Sequence, residues 1–302
     1  MDHQKSTNAQ KSSKWPNNFL RRTSPVIAYL AGFFYIHALV CTPRLLGRYM
    51  YVQGLHTSKI GAVLPAKDPG FGFEKHLSDM VDLAREFPGL EILVVDDGSK
   101  DDYVQDVCSK LSVKCIRHAT NQGKGEALRT GFNHFLVNGF TENDMLGFID
   151  SDGDIPARFF LDYAKTLESR TDLVGVIGAK RLDDSVFESS RKRKIASRVF
   201  SIFASFCVPT GTEDTQVGVK IFRSWFIQKT LPFTCSKGFL LDLELLSSAH
   251  RNNLAVLSSK VEVSLAKNSS TISRKQILKM AKDLAVLSFK TRRGRKFAHI
   301  SK

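Results

Sequence analysis

An α/β fold, a mostly parallel sheet flanked by helices, is predicted by three features of the sequence. From residue 60 onward, short apolar runs alternate with segments of helical period. Acidic clusters close several of those apolar runs. The chain's 302 residues, 42% hydrophobic and 25% charged, suffice for one large core and exclude a disordered chain or a small disulfide-stapled scaffold.

Taken in order, Gly61–Ala66 (GAVLPA) is a short apolar strand ended by the Pro-Gly loop KDPGFG. His76–Phe87 carries apolar residues at helical spacing. Glu91–Ser99 (EILVVDDGS) is a buried strand running into a polar turn. VQDVCSKL (104–111) reads as helix and VKCIRHA (113–119) as strand. Gly125–Val137 reads as helix, and MLGFIDSDGD (145–154) as strand then loop. Sheets of this kind bind ligands beyond the carboxyl ends of their strands, where Asp96-Asp97 and Asp150 to Asp154 fall.

Charge separates the ends from the body. The net charge is +14, with 8 Lys/Arg and 1 acid in residues 1–59 and 10 Lys/Arg and 1 acid in residues 274–302. Residues 60–273 are therefore close to neutral. That pattern fits a body whose ends rest on an anionic membrane and does not fit a nucleic-acid binder with a charged working face. Residues 1–25 are expected to be a disordered basic tail and 26–59 an apolar anchor or interfacial segment. Within the latter, Val26–Cys41 is an uncharged run of 16 residues, just short of the roughly 17–25 that span a bilayer. A buried helix or a signal sequence are its other readings. Residues 274–302 are expected to form a basic amphipathic membrane-surface helix and tail, with Ile277, Met280, Ala281, Leu284 and Leu287 at helical spacing. A core helix with a basic tail is the alternative there; aromatics for base stacking are scarce, which disfavours RNA. The 5 cysteines form no CxxC pair and point to no zinc site or disulfide framework.

The sharpest chemical signal is Asp150-Ser151-Asp152-Gly153-Asp154. Three carboxylates at alternate positions after an apolar strand repel one another, and in extended geometry they share a face. A divalent cation relieves that repulsion, and oxygen ligands suit Mg²⁺ or Mn²⁺. Asp caps on the following helix are the plainer reading. Asp96-Asp97-Gly98-Ser99 places two acids at a strand end, where nucleotide donors could be received. Asn121 to Glu126 (NQGKGE) turns into a helix whose free N–H groups, with Lys124, could meet a phosphate. Asp242 and Glu244 lie inside an apolar segment and require partners or a site to face.

Together, VVDDGS, NQGKGEALRTGF, DSDGD, DTQVGVKIF and LDLELL resemble, in order and spacing, the family-2 glycosyltransferases of the GT-A (Rossmann-like) fold. The resemblance is to the branch that moves a sugar from a nucleotide onto dolichyl or polyprenyl phosphate, and it places the GT-A domain at 60–273. It implies that Asp96 and Asp97, with Pro65, Lys124 and Asp150, bind the donor, and that Asp150, Asp152 and Asp154 hold the cation. It implies that Lys180, Arg193 and Gln216 meet the acceptor phosphate, and that Asp214 and Asp152 are catalytic, Asp214 as the base. One departure stands out: the family's first strand usually ends Pro-Ala-Tyr-Asn-Glu, and here it reads Pro65-Ala66-Lys67-Asp68-Pro69.

The expected reaction is an inverting single displacement onto a lipid phosphate, largely ionised at neutral pH because its second pKa is about 6. RKRKIASR (191–198), followed by an apolar stretch, supplies cations to position such a headgroup. UDP-glucose is the favoured donor. GDP-mannose, or a binding protein without turnover, are the alternatives. The implied location is a membrane with the body facing the cytosol, at the endoplasmic reticulum of a eukaryote or the inner membrane of a bacterium. A processive polysaccharide synthase is disfavoured, since Gln216 is not followed by the Gln-x-x-Arg-Trp pattern.

Overall fold

The computed structural model describes residues 58–179, 210–212, 217–238 and 240–262. The expected tail at 1–25, anchor at 26–59 (apart from its last two residues), basic run at 191–198 and surface helix at 274–302 lie outside them. Among the described residues, no helix is long and apolar enough to cross a membrane.

The elements are β1 (Ile60–Ala66), α1 (Gly72–Glu86), β2 (Leu90–Asp96), α2 (Tyr103–Lys110), β3 (Lys114–Arg117), α3 (Lys124–Val137) and β4 (Met145–Ile149). Then come α4 (Arg158–Ser169), β5 (Leu173–Ala179), β6 (Val219–Arg223), α5 (Ser224–Thr230), α6 (Leu241–Arg251) and β7 (Ala255–Lys260). The expected α/β alternation is present with small shifts of boundary. α1 begins before the predicted His76 because the Phe73 amide closes a turn on the Gly70 carbonyl (3.1 Å) and Phe73 is fully buried.

The strands form one sheet in the order β3-β2-β1-β4-β6-β5-β7. β1 runs parallel to β2 and β4, β2 to β3, and β5 to β7; β6 is antiparallel to both its neighbours. The sheet is thus mostly parallel, with one reversed strand. Successive side chains leave opposite faces. Ala62, Leu64 and Ala66 pack with Phe73, Leu77, Val104 and Phe160 beneath α1, α2 and α4. Val63 packs with Phe132, Phe148, Phe226 and Leu245 beneath α3, α5 and α6. The result is a three-layer α/β/α arrangement. Arg223 anchors the end of β6: its guanidinium donates to the carbonyls of Leu173 (2.9 Å), Leu167 (2.8 Å) and Arg170 (3.0 Å).

The chain lays β1, β2 and β3 outward in one direction, then crosses back to place β4 on the other side of β1. That reversal opens a crevice beyond the carboxyl ends of β1 and β4, the place where such sheets take their ligands.

Candidate active site

Three loops meet at this crevice, following β1, β2 and β4. Two of them are stapled together. The Asp68 amide donates to Ser99 Oγ (2.9 Å), its carboxylate accepts the Lys100 amide (2.8 Å), and Lys67 Nζ reaches the Gly98 carbonyl (3.2 Å). The Lys100 amide, helped by Lys67 and Lys100, holds the Asp68 carboxyl below its ordinary value despite some opposing burial. Asp68 takes a left-handed backbone (φ 43°), which Asp tolerates better than most residues. The unusual Lys67-Asp68 pair therefore braces the neighbouring loop.

Asp96 and Asp97 are both buried and both partnered within the chain. Asp96 accepts from the Ser99 amide (2.9 Å), Ser99 Oγ (2.6 Å) and Gln105 Nε2 (2.5 Å), and pairs with Arg117 (3.3 Å). Asp97 accepts the amides of Gln122 (2.8 Å) and Gly123 (2.7 Å) and meets His118 Nδ1 (2.9 Å). In these positions they shape the crevice: Asp96 fixes the turn into α2, and Asp97 fixes the turn that delivers Lys124.

The amino end of α3 differs from the sequence expectation. The segment Ser236–Gly238 crosses it, and the Glu126 amide is engaged by the carbonyls of Gly123 (2.9 Å) and Lys237 (3.2 Å). Gly123 (φ 102°) and Gly125 permit this approach; a Cβ on Gly125 would lie 2.6 Å from the Gly238 carbonyl and 2.7 Å from that of Ser236. The crossing segment is held by Arg129, which donates to the Leu231 carbonyl (3.1 Å) and Thr234 Oγ1 (2.6 Å). Glu244 holds it from the other side, accepting from the Cys235 amide (2.8 Å) and Ser236 Oγ (2.7 Å). The Glu126 amide is thus already engaged within the chain.

Lys124 points instead into the acidic loop, its ammonium bonded to Asp150 and its charge over the Phe148 ring (5.2 Å). Burial opposes that charge, but Asp150, Asp242 and Asp152 outweigh it and raise the lysine pKa. Asp150 is wedged in place. Its amide donates to the Gly218 carbonyl (2.7 Å), and any side chain at position 218 would overlap its carboxylate. The loop then turns, with Gly153 in the left-handed region (φ 77°) and the Asp154 amide donating to Asp152 Oδ1 (3.0 Å). Ser151 ties the loop to β1 by donating to the Pro65 carbonyl (2.8 Å). Partial desolvation, followed by the Asp150 charge, pushes the Asp152 carboxyl up. Beneath the loop, His76 is buried, and its Nε2 has no partner among the described residues.

Near Phe148 lies a second charge pair, which joins Asp242, an acid expected to need a partner or a site to face, to Lys220 of the VKIF run. Lys220 is fully buried in β6; its ammonium donates to Asp242 (3.0 Å) and the Val217 carbonyl (2.7 Å), 5.3 Å from the Phe148 ring centre. The available signal was a lysine in an apolar strand and two acids, Asp242 and Glu244, in an apolar helix. The structure therefore brings together Lys124, Asp150 and Asp152, with Asp242 close by and Pro65 as an anchor. Asp96 and Asp97 stand beside them and brace the surrounding loops. Lys180, Arg193, Asp214 and Gln216 fall outside the described residues.

Whether these residues suit a divalent cation follows from their chemistry. Among the described residues, no three His, Cys, Asp or Glu side chains form a ready cage. Cations of the Mg²⁺ type are, however, commonly held by one or two carboxylates plus substrate phosphates. The Asp150–Asp152 pair, with Asp152 electrostatically strained, fits that partial role.

A sheet switch point lined by acids and a lysine sits within the GT-A fold that the chain shares with its structural neighbours. Among these neighbours is the glucosyl-3-phosphoglycerate synthase of Mycobacterium tuberculosis, crystallised with Mn²⁺, UDP-glucose and phosphoglyceric acid. It superposes with a TM-score of 0.59 at 17% identity, over 78% of this chain and 80% of that one. The family model described as glycosyl transferase family 2 matches residues 74–230, and the chain belongs to that family. It is similar to the dolichyl-phosphate β-glucosyltransferase of Saccharomyces cerevisiae, 28% identical over 239 residues, which cover 70% of this chain and 68% of the relative. The enzyme of the same name from Dictyostelium discoideum is 26% identical over 214 residues, 66% of this chain and 63% of the relative. The chain thus spans about two thirds of the length of these relatives.

Proposed function

We propose that this glycosyltransferase moves glucose from UDP-glucose to a dolichyl or polyprenyl phosphate at a membrane surface, with inversion at the anomeric carbon and with Mg²⁺ or Mn²⁺ bound. The observation that carries this reading is the meeting of Asp150, Asp152 and Lys124 at the switch point, in a chain similar to dolichyl-phosphate β-glucosyltransferases. Such a charge set suits a nucleoside diphosphate with its counter-ion.

Asp150 and Asp152 would hold the cation, with Asp154 beside them, and Lys124 would bind the diphosphate. When bound, the cation supplies Lewis-acid neutralisation of the departing diphosphate. Asp96 and Asp97 keep the donor loops in register around the nucleotide. An oxygen of the acceptor phosphate attacks the anomeric carbon as the bond to the diphosphate breaks, releasing UDP. The nucleophile is already ionised, so Lys180, Arg193 and Gln216 act mainly to position it, and Asp214 takes any residual proton. The location in this reading is a membrane, with the catalytic body on the cytosolic side and residues 26–41 and 274–302 as contacts.

The test is release of UDP from UDP-glucose, or of GDP from GDP-mannose, in the presence of Mn²⁺ and a short polyprenyl phosphate. UDP-glucose should support turnover, and Asp152→Asn should lower it by about 10²-fold or more while the circular dichroism spectrum is unchanged. Near-normal rates in that variant would remove the metal assignment; turnover only with GDP-mannose would reassign the donor.

A further inference from the structure

Lys124 is fixed at its backbone and paired at its head. It opens α3 directly after Gly123, whose amide is fixed by Asp97, and its ammonium lies on Asp150 above the Phe148 ring. Its side chain is 21% exposed, so water screens this pair only in part. We propose that Lys124 is the resident counter-cation of the acidic centre in the donor-free protein, and that it yields its place on Asp150 when the donor diphosphate and its divalent cation enter. This inference rests on the proposed cation site and adds how that site is kept and vacated.

The geometry determines which partner moves. Asp150 is fixed at its backbone, whose amide is bonded to Gly218, and its short side chain packs on one side against the bare Cα of that glycine. Lys124 has a flexible four-carbon stem. Two cations sharing Asp150 would repel each other at contact distance, so the ammonium weakens divalent binding for as long as it stays. A donor diphosphate gives Lys124 a second anionic partner. Donor and cation should therefore strengthen each other's binding reciprocally.

The experiment is a direct Mn²⁺ titration of the full chain, followed by the loss of the free-ion resonance signal, without nucleotide and then with UDP. Lys124→Met should bind Mn²⁺ about tenfold more tightly than the wild type without nucleotide, and Lys124→Arg, which keeps the charge, should match the wild type. UDP should tighten Mn²⁺ binding in the wild type by a larger factor than in Lys124→Met. Equal or weaker Mn²⁺ affinity in Lys124→Met overturns the inference and leaves the cation site standing. No Mn²⁺ binding by either chain, with or without UDP, overturns the cation site itself and this inference with it. Lys124→Gln removes the same charge while keeping a polar stem, and replaces the methionine variant should that one not fold.

Discussion

Replacing Lys220 by Met tests the energetics behind the site. The ammonium is fully buried, donates to Asp242 at 3.0 Å and to the Val217 carbonyl at 2.7 Å, and has no water to fall back on. Its removal strands a carboxylate and a carbonyl. Breaking a buried ion pair from one side costs about 3–5 kcal/mol, and the 13% exposure of Asp242 lets it rehydrate in part, which sets the expectation near the lower end, about 3 kcal/mol. In urea, with a slope of about 2–3 kcal/mol/M, the midpoint should fall by roughly 1–1.5 M. Removing both charges, in Lys220→Met with Asp242→Leu, should recover most of that loss, because similar-sized apolar pairs often match buried ion pairs. A cost below about 1 kcal/mol for the single variant, or a double variant as unstable as the two single losses added together, would refute the buried pair as drawn.

Two further perturbations probe the loops. Gly218→Ala places a methyl where the Asp150 carboxylate now sits; donor kcat/KM should drop by about 10–100-fold with a stability loss of about 1–3 kcal/mol, read by steady-state kinetics and thermal melting. Unchanged kinetics would mean that Asp150 is not wedged there. Asp68 has a folded pKa below its ordinary value of 3.8, so its contribution is fully present above that value and is lost as pH falls through the lowered one. The melting temperature of Asp68→Asn should lie below that of the wild type at pH 7, and the gap should close on acidification toward pH 2; a gap that stays constant would contradict the staple to Lys100.

The parallel half of the sheet was legible because its signals are local. GAVLPA, EILVVDD and MLGFI are short apolar runs, and the acids that close them mark the strand ends facing the crevice. The reversal of β6 was not legible: VKIFR reads as a strand in either direction, and only its register with β4 and β5 sets the sense. The acidic triplet was found but its shape was not. Extended geometry would put all three carboxylates on one face, whereas the turn at Gly153 directs the Asp154 amide back to Asp152. Asp96 and Asp97 were legible as a pair of acids at a strand end, but their partners within the chain, Gln105, Arg117 and His118, are tied to them by no local pattern. The requirement that Asp242 and Glu244 find partners followed from burial alone. Their identities, Lys220 and the Cys235–Ser236 turn, depended on tertiary contacts.

The reversed strand also bears on how such an enzyme can diversify. Because β6 runs against its neighbours, β5 finishes and β6 starts on the same rim as Asp150, with Gly178 packed beside Val217. Ala179 and Val217, which flank the interval between these strands, therefore stand at one rim of the sheet. A change of length between these two strands could be absorbed at that rim while the registers of β4, β5 and β6 stay as they are.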